Sequence, residues 1–147
     1  MIEGVIIKKI NKYDDERGWL SEVWREDEIA HYRPVMAYVS ETKPGVIRGP
    51  HEHKAQSDCF IFIGPGDFEL HLWDHRGEGE YVKIIAGASA PTIIIVPPGV
   101  VHGYKNISKI NALSINLPDA LWRGTNKAED VDEIRWELDE NSPYKIL

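Results

Sequence analysis

The segment CFIFIGPGDFELHLWD, residues 59–74, contains two apolar runs separated by the turn residues GPGD. Glycine and proline at that point favour a chain reversal, so the segment predicts two strands that follow one another closely. In the second run, Phe68, Leu70 and Leu72 alternate with more polar residues. Because successive side chains of a strand point to opposite faces, one face of this strand is predicted to pack against a core. The other face carries polar groups that a barrel could enclose.

Similar runs recur along the rest of the chain, each bounded by Gly, Pro, Asp or Asn. About nine such runs in roughly 115 residues predict an all-β sandwich or barrel. One polar segment, NKAEDVDEIRWELDE (126–140), predicts a short C-terminal helix, and we expect a single domain over residues 1–147. The predicted strands are VIIKKI (5–10), WLSEVWR (19–25), VMAYVSET (35–42), CFIFIG (59–64), FELHLWD (68–74), YVKIIAG (81–87), TIIIVPP (92–98), HGYKNIS (102–108) and ALSINL (112–117).

Composition and charge limit which molecules this protein can bind. The 147 residues carry a formal net charge of −7, which argues against nucleic acid as a ligand because phosphate binding needs a basic face. The apolar stretch TIIIVPPGVV (92–101) is too short to span a bilayer, so no membrane partner is expected. The single cysteine, Cys59, permits no internal disulfide. These features predict a cytoplasmic protein.

Two motifs contain histidines. The first, G-x5-H-x-H-x4-D, contains His51, His53 and Asp58, and the second, P-x-G-x2-H-x3-N, contains His102. Spacing of two residues on a strand places His51 and His53 on one face. Such residues could form a catalytic or substrate-binding pair, or they could bind one divalent ion together with Asp58 and His102. Histidines in a polar barrel can also simply form hydrogen bonds.

The two motifs resemble those of the cupin superfamily, a small jelly-roll barrel. Four longer segments are similar, in order and spacing, to dTDP-4-dehydrorhamnose 3,5-epimerases, which are cupins that work without a metal. The resemblance implies an antiparallel cupin barrel, a homodimer, no cofactor and a nucleotide-sugar substrate. It implies proton abstraction next to the ketone of a dTDP-linked 4-keto-6-deoxy sugar. The segments are DDERGWLSEVWRED (14–27), VSETKPGVIRGPHEH (39–53), GPGDFELHLWDHR (64–76) and IVPPGVVHGYKNIS (95–108).

The same resemblance implies roles for matching residues. His51 matches the catalytic base, a role that suits a side chain whose unperturbed pKa is near 6.5. His53 stands where the epimerases have Gln, and RGPHEHK (48–54) is closer to the R-G-x-H-A-H-K motif of dTDP-sugar 3,4-ketoisomerases. We therefore expect His53 to return the proton. The expected substrate-binding residues are Arg17, Trp19, Glu22, Arg48, Lys54, His102 and Tyr104.

The chain departs from the epimerase pattern in three places. The segment SINLPDALWR (114–123) has no acid tyrosine, Cys59 lies nearest to the family's lysine, and the C-terminal aspartate that pairs with the base has no counterpart. Three hypotheses follow. The first is a metal-independent epimerase or ketoisomerase. The second is a metal-dependent small cupin that uses His51, His53, Asp58 and His102. The third is a non-catalytic binder of sugar nucleotides.

Overall fold

The computed structural model describes residues 1–29 and 31–147. Its strands are β1 (Ile6–Lys9), β2 (Tyr13–Asp15), β3 (Gly18–Leu20), β4 (Tyr38–Thr42), β5 (Ile47–Glu52), β6 (Asp58–Phe62), β7 (Asp67–Asp74), β8 (Glu80–Gly87), β9 (Thr92–Val96), β10 (Val100–Asn106), β11 (Ala112–Asn116) and β12 (Ile134–Arg135).

Two five-stranded sheets form the barrel. The first has the strand order β1-β9-β6-β11-β4 and the second has the order β12-β5-β10-β7-β8, and every pairing within them is antiparallel. Strands β2 and β3 form a separate hairpin. The predicted antiparallel jelly-roll barrel is therefore confirmed. Within the described residues, no helix is long and apolar enough to cross a membrane.

The main core lies between the two sheets. Phe68, Leu70 and Leu72 on β7 are fully buried in it, as the alternation predicts. The first sheet is covered on both faces, because a second cluster that includes Cys59, Ile61 and the segment around Ile29 packs on its outer side. Burial on both faces explains why β6 reads as a continuous apolar run while β7 alternates.

Three sequence predictions need correction. The predicted helix in 126–140 does not form; the segment contains two 3-10 turns, at Thr125–Lys127 and Trp136–Leu138, with β12 between them. Ile134 and Arg135 pair with β5 instead, and this extended pairing interrupts any helix in the segment. In 19–25, strand structure ends at Leu20, and Val23 and Trp24 instead pack against the outer core cluster. The polar face of β7 points away from the barrel interior, since its opposite face forms the core.

Candidate functional site

Two paired strands, β5 and β10, bring the motif histidines together. In the antiparallel pair β5–β10, His51 lies opposite His102, and their ring centroids are 4.5 Å apart. His53 follows the end of β5, with its ring centroid 5.5 Å from that of His51. Gly49 permits this close pairing, because a Cβ atom there would lie 2.8 Å from the His102 carbonyl oxygen. His51 and His53 therefore lie side by side, although His53 stands beyond the end of the strand.

Asp58, the first residue of β6, links the histidines to the opposite sheet. Its Oδ2 atom lies 3.1 Å from His53 Nε2 and 3.1 Å from His102 Nε2. Its Oδ1 atom accepts hydrogen bonds from the amides of Gln56 at 2.9 Å and Asn116 at 2.8 Å. The Gln56 amide nitrogen also lies 3.3 Å from His53 Nε2. We call His51, His53, Asp58 and His102 the inner cluster.

The far nitrogens of two rings meet backbone carbonyls. His102 Nδ1 lies 2.9 Å from the Val100 oxygen, and His53 Nδ1 contacts the Asp132 oxygen. The Asp132 carboxylate also accepts the backbone N–H groups of Lys54, Ala55 and Gln56 at 2.9–3.0 Å. Asp132 therefore fixes the turn after β5 from the other side of the pocket, and these N–H groups keep the pKa of its carboxyl low despite partial burial.

The pKa values of His51 and His53 are shifted in opposite directions. Burial, with positive charge on His102 and His53, lowers the pKa of His51 well below 6.5. Burial also acts to lower the pKa of His53, but the hydrogen bond and charge of Asp58 outweigh it and raise that pKa to about 9. Burial would raise the pKa of Asp58, yet its contacts with His102 and His53 hold it well below 3.8. At neutral pH the cluster therefore contains a neutral His51 beside a charged His53–Asp58 pair.

A pocket of about 790 Å³ opens onto the inner cluster through His51 and His53. One wall comes from the start of β4, with Tyr38, and from Gln56. The other wall is the C-terminal segment, residues 120–135, held in place because β12 pairs with β5. Its lining includes Trp122, Arg123, Lys127, Asp132, Glu133 and Arg135. The pocket thus combines a base-type histidine with aromatic and cationic groups.

The other predicted site residues lie in several places. His102 belongs to the inner cluster, behind His51. Lys54 is exposed at the turn fixed by Asp132. Arg48 binds Thr42 Oγ1 and the Glu41 carbonyl, beside β4.

Tyr104 is buried among core phenylalanines, and its hydroxyl meets Ser114 Oγ at 3.1 Å. Arg17 and Trp19 lie on the exposed β2–β3 hairpin, where Arg17 pairs with Asp15, and Glu22 follows that hairpin and pairs with Arg25. Among the described residues, this chain's own pocket lining includes none of these three.

The pocket contains residues that sequence reasoning missed. Tyr38 accepts a hydrogen bond from Asn116 Nδ2 at 2.9 Å, and burial raises the pKa of its phenol to about 12. Glu133 Oε1 lies 3.8 Å from His51 Nδ1. No local spacing connects either residue to the histidine motifs, because both reach the site through long-range pairing. The acidic run EDVDE (129–133) could have indicated a functional segment, but its residues were assigned to the predicted helix.

The inner cluster is also the place in the described chain where a metal could bind. One ligand atom from each of its four residues lies within 4.8 Å of all the others. Imidazole nitrogen with one carboxylate oxygen is a donor set that suits zinc, iron, nickel and copper.

Comparison with known proteins gives one family. The family described as dTDP-4-dehydrorhamnose 3,5-epimerase matches residues 1–136. The chain is 36% identical over 111 residues to a spore coat polysaccharide biosynthesis protein of Bacillus subtilis, covering 71% of this chain and 72% of that protein. It is 33% identical over 140 residues to a probable low-salt glycan biosynthesis epimerase of Haloferax volcanii, covering 91% and 86%.

A solved structure agrees with the fold. The dTDP sugar isomerase from Desulfovibrio desulfuricans G20 superposes with a TM-score of 0.84, covering 98% of this chain and 91% of that one, at 20% sequence identity. At that identity the likeness supports the cupin jelly-roll fold.

Proposed function

Because the chain belongs to the dTDP-4-dehydrorhamnose 3,5-epimerase family, we propose that it is an epimerase or ketoisomerase acting on a nucleotide-linked 4-keto-6-deoxy sugar. The proposed nucleotide is dTDP. The observation that carries the proposal is His51, a neutral histidine that lines an open pocket beside a cationic partner. Such a pair can remove a proton next to a ketone and hold the negative charge that develops.

His51 is the proposed base. Its lowered pKa leaves the ring neutral near pH 7, so that one nitrogen has a lone pair available for a proton. Once the ring takes the proton it becomes a cation, which Glu133 at 3.8 Å stabilises. The protonated His53, with its pKa raised to about 9, places positive charge where the enediolate oxygen forms.

The group that returns the proton has two candidates. His53 is the sequence expectation, but its ring nitrogens face the Asp132 carbonyl and Asp58 Oδ2. Tyr38 lines the same pocket, and because its oxygen accepts from Asn116, its own hydrogen is available for donation into the pocket. A phenol with a pKa of about 12 remains protonated at working pH, as a proton donor requires. We therefore assign the donor role to Tyr38.

Deuterium exchange tests these assignments. The protein is incubated in heavy water with a dTDP-4-keto-6-deoxyhexose, and loss of the proton beside the ketone is followed by NMR. We expect His51→Asn to lower the exchange rate by about 10²–10⁴-fold, and Tyr38→Phe to preserve exchange while suppressing product. Wild-type protein that binds the sugar nucleotide without exchange would instead support a non-catalytic binding protein.

The proposal includes a cytoplasmic homodimer. The exposed residues Arg17 and Trp19 sit on a hairpin outside this chain's pocket lining, although the family resemblance gives them substrate contacts. A second copy would reconcile these observations if each hairpin completed its partner's pocket. Exposed Val39 on the edge strand β4 also favours a covered edge.

Mixing two inactive variants tests the shared site. If Arg17→Ala and His51→Asn subunits exchange in a dimer, half of the dimers are mixed and each has one intact pocket, so about a quarter of wild-type activity returns. A fully active Arg17→Ala variant would remove Arg17 from the substrate contacts. Sedimentation as a monomer at micromolar concentration would contradict the dimer.

A further inference from the structure

Asn116 links two parts of the site that lie on different strands. Its strand, β11, lies between β6 and β4 in the first sheet, where Asn116 pairs with Phe60 on one side and with Tyr38 on the other. The residue is only 1% exposed, and it is not among the described residues that line the pocket. Its side chain is therefore buried between the strand that begins with Asp58 and the strand that begins with Tyr38.

The contacts of Asn116 fix the orientation of its amide. The backbone N–H of Cys59 donates a hydrogen bond to Asn116 Oδ1 at 3.0 Å. Because a backbone N–H can only donate, the carbonyl end of the amide lies on this side and the NH₂ end lies on the other. Nδ2 then donates one hydrogen to Asp58 Oδ1 at 2.8 Å and the second to the Tyr38 hydroxyl at 2.9 Å. Both amide hydrogens are thereby used.

This orientation determines what the Tyr38 hydroxyl can do. Its oxygen accepts a hydrogen from Asn116, so the phenolic hydrogen is left for the pocket that Tyr38 lines. When the phenol gives that hydrogen away, negative charge forms on the oxygen that Asn116 already contacts, and a hydrogen bond to a charged oxygen is stronger than one to a neutral oxygen. Burial raises the pKa of Tyr38 to about 12, and the hydrogen bond from Asn116 acts in the opposite direction.

The other end of the amide is tied to a fixed carboxylate. Asp58 Oδ1 also accepts a hydrogen bond from Gln56, at 2.9 Å. The second oxygen, Oδ2, lies 3.1 Å from both His53 Nε2 and His102 Nε2. A carboxylate that is held on both oxygens cannot turn, and it needs donors on Oδ1. The amide of Asn116 is therefore held in one orientation by Asp58 as well as by the backbone of β6.

From these contacts we propose that Asn116 is a positioning residue for the proton donor, because its amide ties the Tyr38 hydroxyl to Asp58 and leaves the phenolic hydrogen to the pocket. The proposal rests on the proposed function, in which His51 removes the proton and Tyr38 returns one. It adds a residue outside the pocket that sets how often the abstracted proton is replaced to give product. Substrate binding does not depend on Asn116, since the residue stands behind the pocket lining.

The variant Asn116→Asp gives the sharpest test, because it keeps the shape of the side chain and changes its hydrogens. A carboxylic acid carries at most one hydrogen, whereas the amide supplies two. In Asn116→Asp that one hydrogen is needed beside Asp58, since two carboxyl groups in contact retain a proton between them. The oxygen that faces Tyr38 is then an acceptor. The phenol donates to it, and its hydrogen is withdrawn from the pocket.

Exchange and product formation are measured together in heavy water with a dTDP-4-keto-6-deoxyhexose. We expect Asn116→Asp to keep KM and the exchange rate close to wild type and to lower kcat for product by about 10–100-fold, which is the effect of losing a hydrogen bond to a charged group. Gln56→Met is the matched control. It removes the other amide donor to Asp58 Oδ1, but the Gln56 amide contacts His53 and Asp58 rather than Tyr38. The ratio of product to exchange should therefore stay at the wild-type value in Gln56→Met, even if both rates fall.

A double variant separates positioning from a general loss of structure. In a Tyr38→Phe background, Asn116→Asp should cause no further loss of product, because no phenol is left to position. A further loss in the double variant would overturn the positioning role. So would a fall of exchange equal to that of product in Asn116→Asp, or an unchanged ratio in folded Asn116→Asp protein.

A measurement without substrate keeps this proposal distinct from the proposed reaction. Proton–nitrogen NMR correlation spectra resolve the two side-chain hydrogens of Asn116. We expect the signal of the hydrogen that faces Tyr38 to shift in Tyr38→Phe, while the signal of the hydrogen on Asp58 keeps its position. Unchanged signals would overturn the link, whether or not Asn116→Asp folds. A shifted signal in a protein whose wild type catalyses no exchange would support the link and reject the proposed reaction.

Discussion

Two clusters of side chains in this chain join histidine to a carboxylate in different ways. In the outer network, formed by Glu69, His71, Tyr81 and Lys83 on β7 and β8, each donor has its own acceptor. His71 Nε2 lies 2.9 Å from Glu69 Oε1, its Nδ1 lies 2.8 Å from the Tyr81 hydroxyl, and Lys83 binds Glu69 Oε2 at 3.0 Å. A neutral His71 satisfies all of these contacts.

The inner cluster instead gathers three imidazoles around one carboxylate. Asp58 Oδ2 faces two imidazole nitrogens whose rings already direct their N–H groups to carbonyls. The inner cluster also borders a pocket, through His51 and His53, whereas the outer network lies on the outward face of β7. A histidine–carboxylate contact is therefore not evidence of a site by itself. The sharing of one carboxylate oxygen by two rings, together with access to a pocket, distinguishes the inner cluster.

The largest expected difference between the two groups is in stability. Asp58→Asn removes the charge that both buried rings face, and loss of one partner from a buried ion pair costs about 3–5 kcal/mol. Glu69 is half-buried and its partner Lys83 is exposed, so Glu69→Gln should cost only about 1 kcal/mol. Urea unfolding of chelator-treated protein measures both free energies. Equal costs for the two variants would contradict the comparison.

The next effect concerns the turn that holds His53. Asp132→Ala removes a carboxylate that accepts three backbone N–H groups, and leaving such donors unpaired costs about 1–3 kcal/mol. Asp130→Ala is the matched control, since Asp130 lines the same pocket and is exposed. The urea midpoints of the two variants give the difference in the free energy of unfolding, provided that its slope against urea concentration is the same in both. If both variants were equally stable, Asp132 would not fix this turn.

Sequence patterns predicted most of the barrel because its strands are local features. The alternation of Phe68, Leu70 and Leu72 correctly predicted which face of β7 is buried. The run WLSEVWR (19–25) failed because its apolar residues pack from an irregular segment onto the outer face of the first sheet. A pattern of apolar residues shows that a segment is buried, but it does not show whether the segment forms a strand of the sheet or packs on the sheet's outer face.

The candidate site was predictable in part for a related reason. His51, His53, Asp58 and His102 belong to two recognisable motifs, and the structure brings them together. Asp132 and Glu133 enter through the β12–β5 pairing, about 80 positions along the chain from the first histidines. Tyr38 lies on the edge strand β4, and no sequence motif surrounds it. Such contacts depend on tertiary pairing, which spacing along one chain does not encode.

A smaller effect is expected from the loss of the Glu133 charge, which lies next to His51 in the inner cluster. Glu133→Gln removes the carboxylate 3.8 Å from His51 Nδ1, and a partly exposed contact of this kind is worth about 1 kcal/mol, or roughly fivefold in rate. Because the charge acts on the protonated base, the change should appear in kcat of the exchange reaction with little change in KM. Glu129→Gln, at another pocket-lining acid, should leave both constants unchanged. A change in KM alone would indicate substrate binding instead.

The smallest expected effect on the reaction is that of His71→Gln, although His71 is as buried as His53. Glutamine can donate an amide hydrogen toward Glu69 and accept from Tyr81, so the outer network keeps its pairing of one donor with one acceptor. The main loss is the stacking of the ring on Trp73, at a centroid distance of 5.6 Å, which is worth about 0.5–1.5 kcal/mol. We therefore expect deuterium exchange to remain at the wild-type level, with a small decrease in the urea midpoint. A loss of exchange in folded His71→Gln protein would mean that the outer network also acts on the reaction. A carboxylate shared by two rings, with access to the pocket, would then fail as a guide to the site.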